Sequence, residues 1–138
     1  MVEKKKKLKQ NSNFTITNMA KGNPPIGGLP FLAMKEAVLG KAYELSVVFA
    51  SRTTLRKLNL KYRNKNQPTD ILSFPLSKTE GEIFINLEEA RKEAKKFGRE
   101  LENFLGLLFI HGLAHLEGLE HGSRMERIET KFRKQLGF

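Results

Sequence analysis

The chain of 138 residues has no cysteine, which excludes disulfides and thiolate metal ligation and leaves nitrogen and oxygen as donors for any bound metal. The same absence fits a reducing compartment, so a cytoplasmic location is expected. Long apolar runs are also missing. No stretch approaches the length of a membrane span, and the N-terminus lacks the apolar segment and small-residue cleavage site of a signal peptide. A soluble protein that is not exported and has no membrane partner is therefore expected. Acidic residues are in deficit, 15 against 25 Lys+Arg, and the formal charge of +10 is the balance of a protein that meets phosphate or an acidic surface. Histidine is scarce as well, and all three lie within residues 109–121.

That clustering carries the functional argument. His111 and His115 stand i, i+4, which on a helix sets them on one face with Cβ atoms roughly 5–6 Å apart, a span that one metal ion can bridge. Gly118 then breaks the helix as a residue able to take positive φ, so that the chain can return His121 toward the other two. Three neutral imidazoles with a fourth position open describe a catalytic zinc site, because structural sites close the sphere with four protein ligands. The spacing also overlays the metzincin peptidase pattern H-E-x-x-H-x-x-G-x-x-H at His111, His115, Gly118 and His121. One residue breaks the overlay: the position of the peptidases' general base holds Gly112, so the same cage must serve a different chemistry.

With 39% hydrophobic residues, the chain can build the core of one domain and is too short for two. The like-charge block Glu3-Lys4-Lys5-Lys6-Lys7-Leu8-Lys9 reads as a mobile basic tail over residues 1–12, followed by a single domain over 13–138. Alternation at Phe14-Thr15-Ile16-Thr17 predicts a strand, and Asn23-Pro24-Pro25-Ile26-Gly27-Gly28 a loop. Residues 30–42 predict a helix opened by Pro30, with Leu32, Ala33, Ala37 and Leu39 as its apolar set. A strand follows over 44–49, with Leu45, Val47 and Phe49 on one face and Val48 on the other. Ser51 caps a helix through Leu55, Leu58, Asn59 and Tyr62.

Strands are expected over 70–74, ended by Pro75, and over 82–85. Asn86 followed by Glu89 makes a capping-box start for a helix reaching about Gly98. Residues 101–116 are apolar nearly all round and predict a buried central helix that carries the first two histidines. A last helix opens at Ser123, with Met125, Ile128, Phe132 and Leu136 as its inner stripe. The sum is a small α+β (mixed α/β) domain with about four strands packed against helices.

Two segments together resemble the YbeY family of bacterial endoribonucleases of ribosomal RNA maturation. Leu58-Asn59-Leu60-Lys61-Tyr62-Arg63 followed by Pro68-Thr69-Asp70-Ile71-Leu72-Ser73-Phe74-Pro75 is similar to that family's LN…YR…PTDVLSFP stretch, and residues 111–121 to its H-G-x-L-H-L-x-G-Y-D-H metal motif. Gly81-Glu82-Ile83 stands where the family shows Gly-Asp-Ile. The chain departs from the pattern at Ala114, at Leu119-Glu120 and at Glu82. The resemblance implies one zinc ion per chain held by His111, His115 and His121, single-stranded RNA as substrate, the ribosomal subunit and its rRNA as partners in maturation and quality control, and Arg63 as a catalytic residue. Independently of the family, an arginine in a polar loop suits phosphate, since its planar fork makes two parallel hydrogen bonds. Two other classes compete: a metallohydrolase of another substrate, peptides included, and an RNA- or ribosome-binding factor whose metal is structural.

Overall fold

A computed structural model describes residues 6–11, 13–67, 69–118 and 123–136, with the side chains of 6–11, 123–125 and 136 excluded. Among the described residues five strands form one mixed sheet: β1 (Lys6–Asn11), β2 (Phe14–Asn18), β3 (Glu44–Phe49), β4 (Ile71–Ser77) and β5 (Glu80–Ile85), in the order β1-β2-β3-β5-β4. The inner three, β2, β3 and β5, run parallel, while β1 and β4 pair antiparallel at the two edges. The expected α+β domain is therefore present with one strand more than the four anticipated. The extra strand is β1, which the sequence placed in a mobile tail. Its lysines hid it, yet charged residues are tolerated on an edge strand, where they discourage pairing with another chain.

Side-chain alternation divides the sheet into two unequal faces. Phe14, Ile16, Leu45, Val47, Phe49, Ile83 and Ile85 point into the main core, beneath the helices α1 (Phe31–Leu39), α3 (Leu87–Lys96), α4 (Leu101–Leu116) and α5 (Ser123–Leu136). On the opposite face Val48, Ala50 and Leu72 form a smaller cluster with Leu55 and Leu58 of α2 (Arg52–Arg63), joined by Phe74 and Phe84. The expected split of β3, with Val48 alone opposite Leu45, Val47 and Phe49, is observed.

The caps agree with the sequence as well. Ser51 Oγ accepts from the Thr54 amide at 3.2 Å and Asn86 Oδ1 from the Glu89 amide at 3.2 Å, each satisfying a donor that the first helical turn leaves free. Two expectations need correction. The inner stripe of α1 is Phe31, Met34 and Lys35, while Ala33 and Ala37 are exposed. Lys35 is almost wholly buried, with its ammonium donating to the Lys41 carbonyl at 3.1 Å, and burial holds its pKa below the ordinary lysine range. Second, β4 runs through Pro75 to Ser77, because an edge strand can present proline's missing donor to solvent; the register slips between Pro75 and Ser77.

Candidate metal centre

The centre is built on α4, a helix whose rigidity comes from burial. Phe104, Leu105, Leu108, Phe109, Ile110 and Leu113 are all buried, and the Phe109 ring packs at 4.2 Å between centroids on Phe31 of α1. Across its other side, Gly112 lets α4 settle directly onto the sheet. A Cβ at Gly112 would stand 2.9 Å from Ile71 Cδ1, 3.1 Å from Ser73 Oγ and 3.2 Å from Ile83 Cδ1. Ser73 Oγ also donates to the Gly112 carbonyl at 3.3 Å. The position that carries the peptidases' glutamate is thus filled by β4 and β5, with no room for a carboxylate.

One step around the helix, His111 and His115 share a face as their spacing requires. Their Nε2 atoms lie 3.1 Å apart, with the rings edge to face at 4.6 Å between centroids. Two imidazoles on one tetrahedral zinc, each bond about 2.0–2.1 Å long, hold their nitrogens about 3.3 Å apart, so this pair already fits the ion. The other ring nitrogen of His111, Nδ1, lies 3.2 Å from Glu129 Oε1 on α5. A carboxylate accepts only, so Nδ1 carries a proton, and the neutral ring then presents the Nε2 lone pair to the His115 side. Orientation of a ligating imidazole by a carboxylate on its far nitrogen is the usual support of a metal histidine.

The helix ends at Leu116, and Gly118 takes φ +84° with its amide donating to the His115 carbonyl at 3.0 Å. The glycine therefore makes the left-handed turn expected of it. His121, with Leu119 and Glu120, lies outside the described residues. The structure thus brings together two of the three proposed ligands.

Arg63 closes α2 and is exposed. Asn64 follows in the left-handed region at φ +54°, and the loop is tied back onto the helix by Asn59 Nδ2 donating to the Gln67 carbonyl at 3.0 Å, the Lys65 amide donating to the Asn59 carbonyl at 3.2 Å, and Arg56 Nε donating to Asn66 Oδ1 at 2.9 Å. The neighbouring Tyr62 ring packs on Phe74 of β4 at 5.2 Å. Phe74 follows Ser73, the residue bonded to Gly112, so Tyr62, next to Arg63, and Gly112, next to His111, meet consecutive residues of β4. The two helices pack on opposite faces of the sheet, α4 over the main core and α2 over the smaller cluster. Among the described residues no hydrogen bond joins Arg63 to either imidazole.

Glu129 was not singled out from the sequence, although a signal for it exists: position 129 falls among 125, 128 and 132, the i, i+3, i+4, i+7 stripe that turns inward, where a glutamate needs a partner. Asp70, beside the loop, is half-buried; burial raises its pKa above the ordinary carboxylate range, with Glu93 and Glu89 adding to the effect.

A protein-family model described as endoribonuclease YbeY matches residues 29–136. Among curated proteins bearing that name, the one from Heliobacterium modesticaldum is 35% identical over 68% of this chain and 70% of its own, and the one from Staphylococcus carnosus 32% over 80% of each. A solved structure from Thermotoga maritima superposes with a TM-score of 0.61 at 24% identity, covering 89% of this chain and 88% of that one, which shows a common fold. A match running from the start of α1 to the end of α5, through both the arginine loop and the histidine helix, establishes that this chain belongs to the YbeY family of endoribonucleases.

Proposed function

We propose that this chain is a zinc-dependent endoribonuclease that cleaves single-stranded RNA during ribosomal RNA maturation and ribosome quality control in the cytoplasm. The observation that carries the metal part of this reading is the 3.1 Å approach of the His111 and His115 Nε2 atoms, with Glu129 behind His111. His121, three residues beyond the Gly118 turn, is the third ligand in this reading. A zinc ion bound there supplies Lewis acidity toward a phosphodiester.

The chain's own residues do the rest. His111 is held in one tautomer by Glu129, so its ligating nitrogen needs no reorientation. Arg63, at the end of α2 rather than in the polar loop the sequence suggested, stands beside the loop that Asn59 fastens; it offers a planar fork to the phosphate and stabilises charge that gathers on its oxygens in the transition state. An RNA strand crossing the β4 edge would meet both. The packed contact at Gly112 weighs against a peptidase mechanism, since the carboxylate which that chemistry uses has no space.

The test combines zinc content and coordination number with cleavage of a single-stranded rRNA fragment and of a peptide, on one preparation. RNA cleavage that depends on zinc and on His115, with an exchangeable fourth position, is the expected result. Peptide hydrolysis without RNA cleavage would overturn the reading, and a fourth protein ligand with no cleavage would leave a binding factor with a structural metal.

A further inference from the structure

The face of the sheet that lies away from the histidines carries an unexplained aromatic. Tyr62 is 59% exposed, although it stands in register with the buried stripe of α2, seven residues beyond Leu55 and three beyond Asn59. Its ring is not loose. It leans on Phe74 at 5.2 Å and 59°, and Phe74 in turn meets Phe84 edge-on at 5.9 Å, so a ladder of three rings anchors it to the sheet. Above it the Lys61 ammonium sits 5.1 Å from the ring centroid, a loose seat for an exposed cation.

Along α2 and the loop that follows it the charge has one sign. No acidic residue occurs between Glu44 and Asp70, while Arg52, Arg56, Lys57, Lys61, Arg63 and Lys65 all lie there and all are exposed. At 100° per residue, Arg52, Arg56 and Arg63 fall on one flank of the Tyr62 stripe, and Lys57 and Lys61 on the other. Arg52 is partly engaged by Glu89 at 3.9 Å and Arg56 by Asn66, whereas Lys57 and Lys65 extend the cationic surface beyond them.

We propose that Tyr62 is a stacking platform for a base of the single-stranded RNA next to the scissile phosphate, and that the cations of α2 hold the backbone on either side of it. The proposal rests on RNA being the substrate. An exposed aromatic fixed from behind and bordered by cations is how single strands are gripped without reading sequence, because every base has a π-face and every link a phosphate. On binding, the Lys61 ammonium exchanges the ring for a phosphate and the base takes the ring face. Arg63, the next residue, then meets the adjoining phosphate at the β4 edge, which gives the strand a path from the α2 face toward the histidines.

Composition supplies a direct readout, since the chain has two tyrosines and no tryptophan. In a Tyr43→Phe background Tyr62 is the sole emitter, and adding a 2′-O-methyl oligoribonucleotide should quench it in step with binding. At fixed salt, Tyr62→Ala should weaken binding of the base-bearing strand by about five- to a hundredfold, leave an abasic strand of equal charge unaffected, and leave Tyr62→Phe within about twofold of wild type. Binding without quenching, or an equal loss for base-bearing and abasic strands, would overturn the stacking role while leaving RNA as substrate. Self-association that Tyr62→Ala abolishes, with RNA affinity unchanged, would make this face a contact between two copies and also overturn it. Failure of the wild type to bind RNA at low salt would instead overturn the substrate reading on which the proposal stands.

Discussion

Replacing Glu129 tests the metal centre without touching a ligand. Its carboxylate stands 3.2 Å from His111 Nδ1, on a helix that otherwise meets α4 through Ile128 and Phe132. Loss of such an outer partner costs a metal site about 10–100-fold in affinity, or roughly 1.4–2.7 kcal/mol. Both side chains are about one-third exposed, at 32% and 30%, so water screens the charge and the effect should fall toward the lower end. Glu129→Gln keeps an acceptor for the Nδ1 proton and should lose less than Glu129→Ala, which leaves the ring free to rotate and change tautomer. The assay is competition for zinc against a chromophoric chelator, with melting temperature recorded on the metal-free protein. A purely structural Glu129 would fasten α5 to α4, and an exposed pair of this kind contributes about 0–1 kcal/mol. The reasoning fails if Glu129→Ala binds zinc as tightly as wild type, whatever happens to its melting temperature.

Five further outcomes are expected. His115→Ala should purify with much less zinc than wild type by elemental analysis, and wild-type affinity should fall as the medium is acidified, because a protonated imidazole cannot ligate. Arg63→Lys should retain fold and zinc yet lose about tenfold or more in RNA cleavage, with Arg63→Ala losing more, since a charge-assisted bond of about 1.5–3 kcal/mol in the transition state corresponds to that range; a fully active Arg63→Ala would refute the assignment. Gly112→Ala should be destabilised by up to about 2 kcal/mol in denaturant melts, because overpacking costs about 1–3 kcal/mol while alanine's helix propensity returns about 1. For Asp70, a folded pKa raised above the ordinary 3.8 means that the native state holds the proton more tightly than the unfolded chain, so its contribution is fully present below that value and is lost as pH rises through the folded pKa; Asp70→Asn should remove that stretch of the stability profile.

How much of this was legible depended on whether the signal was local. The caps at Ser51 and Asn86, the alternation of β3 and the glycine turn at Gly118 are decided within a few residues, and each stands where the sequence put it. The misreadings share one cause, which is tertiary context overruling a local rule. The apolar set of α1 expected from the sequence omitted Lys35, which lies on the buried face because its ammonium finds the Lys41 carbonyl. The lysines of β1 read as a tail because only pairing with β2 makes them a strand. Pro75 read as a terminator because the sequence does not announce which strand is the edge. Removing residues 1–11 should accordingly lower the melting temperature by baring β2, where loss of a mere tail would leave it unchanged.

Gly112 joins these two kinds of information. From sequence alone it is a negative, the missing carboxylate that separates this chain from peptidases with the same histidine spacing. In the structure it is a point of direct contact between α4 and β4, and Ser73 marks that contact with a hydrogen bond to its carbonyl. A glutamate there would push α4 off the sheet, and with it His111 and His115, away from the edge strand on which Tyr62 packs through Phe74. The glycine thus seats the histidine helix directly on the strand that Tyr62, the neighbour of Arg63, meets through Phe74. On this argument Gly112→Ala should impair RNA cleavage more than zinc binding, because the helix and its i, i+4 pair move together while their distance from Arg63 changes. Equal loss of both, measured on folded protein, would mean that the substitution distorts the histidine pair itself and that the spacing across β4 is not what cleavage depends on.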